Sequence, residues 1–276
     1  MKFQPQSLIS SSTALGKWQH FKLGARPAST SSSPINFTMD QAGLAMDLYC
    51  PPSKLPSWFT SPGLRWIALK RKMRMVGINT YMAAQIRKDV GRGRFRPLEW
   101  KETGLLLYTR AHEAFFERDF AKLSACTSRW VCGPLSDRAK KLPKDFTYGW
   151  KLDKYTSRPK VLSMIPLSFP GNAPAQFVQV VYRIETQQTL SKVRRGSTQV
   201  DKITRNVSDN VGFIFDTLTS PAEGKLIGSL FETPLTAPLP DPTSESFSRA
   251  DAMASMAERG DIFRDPPGYV AVKQDK

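Results

Sequence analysis

At Phe146 the spacing of apolar residues changes period, and no other feature constrains the fold as strongly. Before it, from Leu64, apolar side chains recur at threes and fours. Leu64, Ile67, Ala68, Met75, Ile78, Met82 and Ile86 share one helical face, with a single gap of seven across Arg71. A second helix is expected from Pro97, with Glu99 and Glu102 near its positive end. Leu98, Leu105, Tyr108, His112, Phe115 and Phe116 form its expected buried stripe. Short helices are expected at 122–131 and, after Gly133-Pro134, at 136–141. From Phe146 the alternation has period two, through Phe146, Tyr148 and Trp150 and then Val161, Ser163 and Ile165. Residues 177–186, 209–217 and 225–231 complete at most five strands, with polar turns at 194–196 and 220–224. Helices first and strands afterwards predict an α+β domain, its helices on one face of an antiparallel sheet. The missing βαβ alternation argues against a doubly wound nucleotide-binding fold.

Prolines mark the expected limits of that domain at residues 64–235. Pro51, Pro52, Pro56 and Pro62 interrupt residues 40–63, which read as a linker. Pro234, Pro238, Pro240 and Pro242 lead into a Pro-rich, acidic-leaning tail, 236–276, with a short helix expected at 248–259. Sixteen Phe within 40% apolar residues are enough to fill one core. Three cysteines, an odd number without close spacing, exclude a disulfide scaffold and suit a reducing compartment. No run approaches the roughly 18 apolar residues that a membrane span needs, so any membrane contact is expected to be peripheral.

Charge gives the chain a direction. Residues 1–39 hold Lys2, Lys17, Lys22 and Arg26, two clusters of hydroxyl residues and no acid. That composition is expected of a mitochondrial transit peptide, with the mature chain in the matrix. Residues 64–96 carry ten Lys/Arg against Asp89 alone, or +9 of the total +16. The ten are Arg65, Lys70, Arg71, Lys72, Arg74, Arg87, Lys88, Arg92, Arg94 and Arg96. Such a patch is expected to face a polyanion, either rRNA phosphates or anionic lipid. Trp66 and Met73 interleave with it, as the apolar residues of an interfacial helix do. Gly91-Arg92-Gly93 reads as a turn, since no phosphate-loop pattern follows.

Catalytic patterns do not emerge. Cys126-x5-Cys132 with His112 offers too few ligands for a metal. A Cys126–His112 pair falls in amphipathic helical text, where buried, inert Cys is the simpler state. No nucleophile elbow, phosphate loop or zinc-protease helix occurs. No catalytic residue, metal, cofactor or small-molecule substrate is expected.

Five stretches, with the basic helix before them, carry a resemblance. The order of the basic helix, Phe95-Arg-Pro-Leu-Glu-Trp100 and Tyr108-Thr-Arg-Ala-His-Glu-Ala-Phe-Phe-Glu-Arg-Asp119 resembles the entry to the domain shared with inner-membrane translocase subunit forty-four. Trp150-x8-Pro159-Lys-Val161, Gln179-Val-Val-Tyr-Arg-Ile-Glu-Thr-Gln-Gln-Thr-Leu190 and Asn210-Val-Gly-Phe-Ile-Phe215 resemble its sheet. Within that group the chain is most similar to mitochondrial large-subunit ribosomal protein forty-five and the fungal membrane-associated ribosome receptor. It departs from them at Glu223-Gly-Lys-Leu226, where the family often has Gly-x-Trp. The resemblance implies a curved-sheet, cone-like domain with an apolar hollow. It also implies a non-enzymatic role near the polypeptide exit of the large mitoribosomal subunit, positioning the ribosome on the inner membrane for co-translational insertion. The implied partners are rRNA and proteins near that exit, anionic lipid and the insertase. Two alternatives stay open: a tethering subunit of the import motor, and a small-molecule enzyme using the hollow, for which Glu185 is the one candidate acid.

Overall fold

The computed structural model describes residues 37–45, 48–167, 175–239 and 248–266, all within the compact unit Asn36–Lys276. Apart from residues 37–39, the expected transit peptide lies outside them. Four helices precede the strands: α1 (Pro62–Val90), α2 (Pro97–Glu117), α3 (Phe120–Cys126) and α4 (Arg129–Lys141). Five strands follow: β1 (Phe146–Tyr155), β2 (Lys160–Leu167), β3 (Phe177–Arg194), β4 (Val200–Asp216) and β5 (Gly224–Leu230). A last helix, α5 (Arg249–Gly260), closes the described chain. The expected α+β architecture is therefore the observed one.

Local chemistry explains the boundaries. Proline begins both long helices, where its missing N–H costs nothing. α1 stops at Gly91, whose φ of +83° suits glycine. Asp119 caps α3 by accepting a hydrogen bond from the Lys122 amide at 3.0 Å. Gly133-Pro134, expected to separate two helices, instead lies inside α4. A proline there removes the donor that would have bonded the Trp130 carbonyl four residues back.

All strand pairings are antiparallel, and β3 is central. β4 pairs along nearly its whole length, from Phe177 opposite Asp216 to Val193 opposite Val200. The other edge of β3 is shared, with β2 along 177–183 and β1 along 186–194. β5 extends the sheet beyond β4. The first half of β3 is buried without interruption from Phe177 to Ile184, because layers cover both faces. On one face Val178, Val180, Tyr182, Ile184, Phe213 and Phe215 meet α2, α3 and α4. On the other, Phe177, Val181, Ile214 and Ile227 meet a strap formed by residues 37–45 and 48–50.

That strap corrects the linker expectation, since Ala42, Leu44 and Cys50 are core residues. The prolines begin only at Pro51, after the strap, which holds one 3-10 turn at Met39–Gln41 and otherwise runs extended enough to bury apolar side chains. The segment after residue 235 also returns to the body. Phe263 packs against His112 and Phe115, and Arg264 donates to the Ser229 carbonyl at 2.8 Å. In α2 the expected stripe needs one change: Leu98 is 70% exposed, and Trp100 and Leu107 face inward instead. The space between α2 and the sheet is packed by Trp100, Tyr108, His112, Phe115, Phe213 and Phe215. Trp100 stacks on Phe215 with centroids 6.2 Å apart.

Candidate polyanion interface

α1 carries most of the residues singled out by charge, and the structure sorts them into two groups. Its inward line keeps most of the expected apolar stripe, since Met75, Ile78 and Met82 are half-buried beside buried Ala68 and Ile86. Leu64 and Ile67 are exposed, while Ala68, Ile86 and Val90 are buried, with Arg71 and Asn79 turned toward the body. Asn79 donates to the Leu162 carbonyl of β2 at 2.9 Å. Arg71 fills the seven-residue gap in the stripe. It donates to the carbonyls of Ala237 at 2.8 Å and Pro234 at 3.5 Å, and its guanidinium lies over the Tyr49 ring. Arg71 is thus a structural clamp joining helix, strap and the chain after β5.

Two more of the ten are also engaged internally. Arg65 lies over the Trp58 ring and donates to the Pro56 carbonyl. Arg96 pairs with Glu99 at 3.1 Å and donates to Ser220 and to the Gly93 carbonyl, fixing the start of α2. Glu99 also accepts from the Ala222 amide, which holds its carboxyl below the usual range. Lys70, Lys72, Arg74, Arg87, Lys88, Arg92 and Arg94 form no ion pair among the described residues. Arg87, Lys88 and Arg92 gather with Thr80 and Phe95 around an open hollow of about 520 Å³.

The outer face of α1 is also apolar. Trp66, Leu69, Met73 and Val76 are spaced by three, four and three residues and are all exposed, Trp66 by 62% and Met73 by 68%. They form one stripe, with Lys70, Arg74 and Lys88 in the row beside it. Phe59, 99% exposed, and Trp58 lie just before the helix begins. Trp66 and Met73 are expected at such a face from the sequence; Phe59 and Val76 are not, although helical spacing from Trp66 reaches Val76.

The interior offers satisfied polar groups. Trp150 donates to Gln188, Gln188 to Tyr108 and Thr186, and Tyr108 to Asp209 at 2.6 Å. Burial raises the pKa of Asp209. It, and not Glu185, is the carboxylate facing the interior. Glu185 pairs with Lys160 at 3.5 Å, near the surface. His112 is buried, stacked on Trp150, and its Nδ1–H donates to the Tyr108 carbonyl. Desolvation lowers its pKa to about 4, so the ring is neutral. Burial pushes the Cys126 thiol up to about 11, and its sulfur contacts the Leu123 carbonyl. No group of His, Cys, Asp and Glu suited to a metal occurs among the described residues. Nor is any helix among them long and apolar enough to cross a membrane.

The model of the MBA1-like protein family matches residues 28–268, and the chain belongs to that family. Over 240 residues it is 30% identical to the inner membrane mitoribosome receptor MBA1 of Saccharomyces cerevisiae, covering 86% of this chain and 84% of that one. An uncharacterized protein of Schizosaccharomyces pombe is 29% identical over 134 residues, 49% of this chain and 47% of its own.

Proposed function

We propose that this protein is a non-enzymatic receptor, peripheral on the matrix face of the mitochondrial inner membrane. It holds the large mitoribosomal subunit near its polypeptide exit, so that emerging chains enter the membrane, beside the insertase, as they are made. Residues 1–39 are the targeting segment in this reading. The name of the yeast relative, a mitoribosome receptor of the inner membrane, supports the pairing of partners. So does the sequence resemblance to large-subunit ribosomal protein forty-five.

The observation that carries the reading is the exposed face of α1, where Trp66, Leu69, Met73 and Val76 run beside Lys70, Arg74 and Lys88. Phosphates alone have no use for an apolar stripe. An anionic bilayer uses both rows, since the stripe enters the headgroup boundary while the cations meet lipid phosphates. α1 is therefore assigned to lipid. Each cation near such a surface contributes about 1 kcal/mol. Burying Trp66 and Met73 contributes about 2–3 kcal/mol together.

The test is co-sedimentation of the full chain with cardiolipin-containing vesicles. Replacing Lys70, Lys72, Arg74 and Lys88 by Gln should weaken binding by roughly a thousandfold at low salt. Trp66→Ala with Met73→Ala should weaken it by about 30- to 100-fold. Thermal melts of both variants should stay near wild type, because these side chains are exposed. Unchanged vesicle binding in both, with intact melts, would reduce this face to ordinary solvated surface.

A further inference from the structure

We propose that the distal half of the sheet, an extension built from β1, β3 and β4, is a second docking surface, and that it binds the phosphate backbone of structured RNA. The proposal rests on the ribosome-receptor reading and supplies the ribosomal side of it.

The extension is an unusual piece of sheet. β4 is exposed on both faces from Val200 to Asn206, and β3 is only partly covered from Gln187 to Val193. Yet the ladder between them continues without a register shift to Val193 opposite Val200. α2 covers one face of β1 near Trp150, but Val200–Asn206 of β4 has no layer on either face and contributes little to a core. The β3–β4 ribbon is also cationic. Residues 187–206 hold Lys192, Arg194, Arg195, Lys202 and Arg205 against Asp201 alone. None of the five forms an ion pair among the described residues.

The register distributes these charges over both faces. Lys192 lies opposite Tyr148 and Asp201, Arg194 opposite Phe146, and Arg205 opposite Gln188, so these three cations share a face with two aromatic rings. The Lys192 ammonium lies 3.9 Å from the Phe146 ring centroid. The other face carries Lys202 and Lys151 among Thr147, Thr189, Ser191 and Thr204. Cations set among hydroxyls and amides suit phosphate and sugar oxygens. An anionic membrane fits less well, because the ribbon exposes only Val200 and Ile203 as large apolar residues and lacks a stripe like that of α1. The surface is separate from the lipid-facing one, since α1 packs on β2, which pairs with the opposite half of β3.

The probe is an RNA duplex of about 20 base pairs, beside purified large mitoribosomal subunits and cardiolipin vesicles. Replacing Lys192, Arg194, Arg195, Lys202 and Arg205 by Gln in the full chain should cut duplex affinity by at least about 30-fold. The log–log salt slope should fall by about 3 to 4, from lost counterion release. Vesicle binding should hold, and the α1 variant should show the reverse pattern. If the five-site variant folds poorly, Lys202→Gln with Arg205→Gln, on the strand exposed on both faces, should lower the slope by about 2. An unchanged duplex slope in either variant overturns the proposal. Weaker vesicle binding with RNA unchanged would make the ribbon a lipid contact, and weaker subunit binding with naked RNA unchanged an acidic-protein contact; either overturns it. Wild-type protein that binds duplex through the ribbon but ignores large subunits would leave this inference standing and remove the receptor reading.

Discussion

Arg71 Nη2 lies 2.8 Å from the carbonyl oxygen of Ala237, 166 residues further along the chain. The Lys70-Arg71-Lys72 run is therefore divided in purpose. The outer two point to solvent, and the middle one fastens α1 to the strap and to the chain after β5.

Arg71→Gln should accordingly lower stability by about 1–2 kcal/mol, because it removes a charge-assisted hydrogen bond and a cation–π interaction together. Lys70→Gln and Lys72→Gln should cost under about 0.5 kcal/mol each. Urea denaturation of the three variants compares them directly. Equal midpoints would show that the Arg71 interactions are energetically empty.

His112 should make stability depend on pH. Its folded pKa is about 4, against about 6.5 in an unfolded chain. The unfolded state therefore takes up the proton first, and the contribution is fully present above about pH 6.5 and lost as pH falls toward 4. Between pH 6.5 and 5 the loss should reach about 2 kcal/mol. Asp209 works in the opposite sense, because its raised folded pKa favours the folded state at low pH and ceases to as pH rises. His112→Phe keeps a ring against Trp150 and Phe263 and removes one titration, so wild type minus variant isolates the effect. A difference that stays flat from pH 7 to 5 would contradict a buried neutral imidazole.

Gly260 closes directly on the Trp130 carbonyl, the one deprived of its helical donor by Pro134. A Cβ at 260 would overlap that backbone oxygen. Gly260→Ala should therefore lift α5 from α4, costing about 2 kcal/mol or more. Limited proteolysis should then cut within residues 249–266 at protease levels that leave the wild type intact. An unaltered digestion pattern would mean that the approach is readily relaxed.

Most of the architecture was legible because the covered half of the sheet advertises itself. Residues 177–186 form a run of β-branched and aromatic side chains buried on both faces. The extension was not legible. Residues 187–206 alternate Thr, Gln, Ser, Lys and Arg, and hydrophobic period has nothing to report where no layer covers either face. The strands therefore read as ending at 186 and beginning again at 209. In α1 the stripe read from period meets the body from Ala68 through Met75, Ile78, Met82 and Ile86, and fails only at its first turn, where Leu64 and Ile67 are exposed. The skip across Arg71 is no failure, since an inward arginine bonded to carbonyls replaces an inward leucine. After the strap, Pro51, Pro52 and Pro56 signalled the lack of an α-helix correctly, but Leu44 and Cys50 before them are buried by tertiary packing that local pattern does not encode.

The unbroken pairing of β3 with β4 has a mechanical consequence. An 18-residue strand spans about 60 Å at the ordinary rise per residue, and half of it is gripped in the core while half stands free. A pull applied at the turn beyond Arg194 runs along the strands, so it loads the ladder of hydrogen bonds side by side and does not peel them one at a time. The outer half then behaves as a strut of set length, anchored by the buried half of the same strand. Whatever is attached to its tip is kept at a fixed standoff from whatever α1 rests on, with no hinge in between to absorb the thrust.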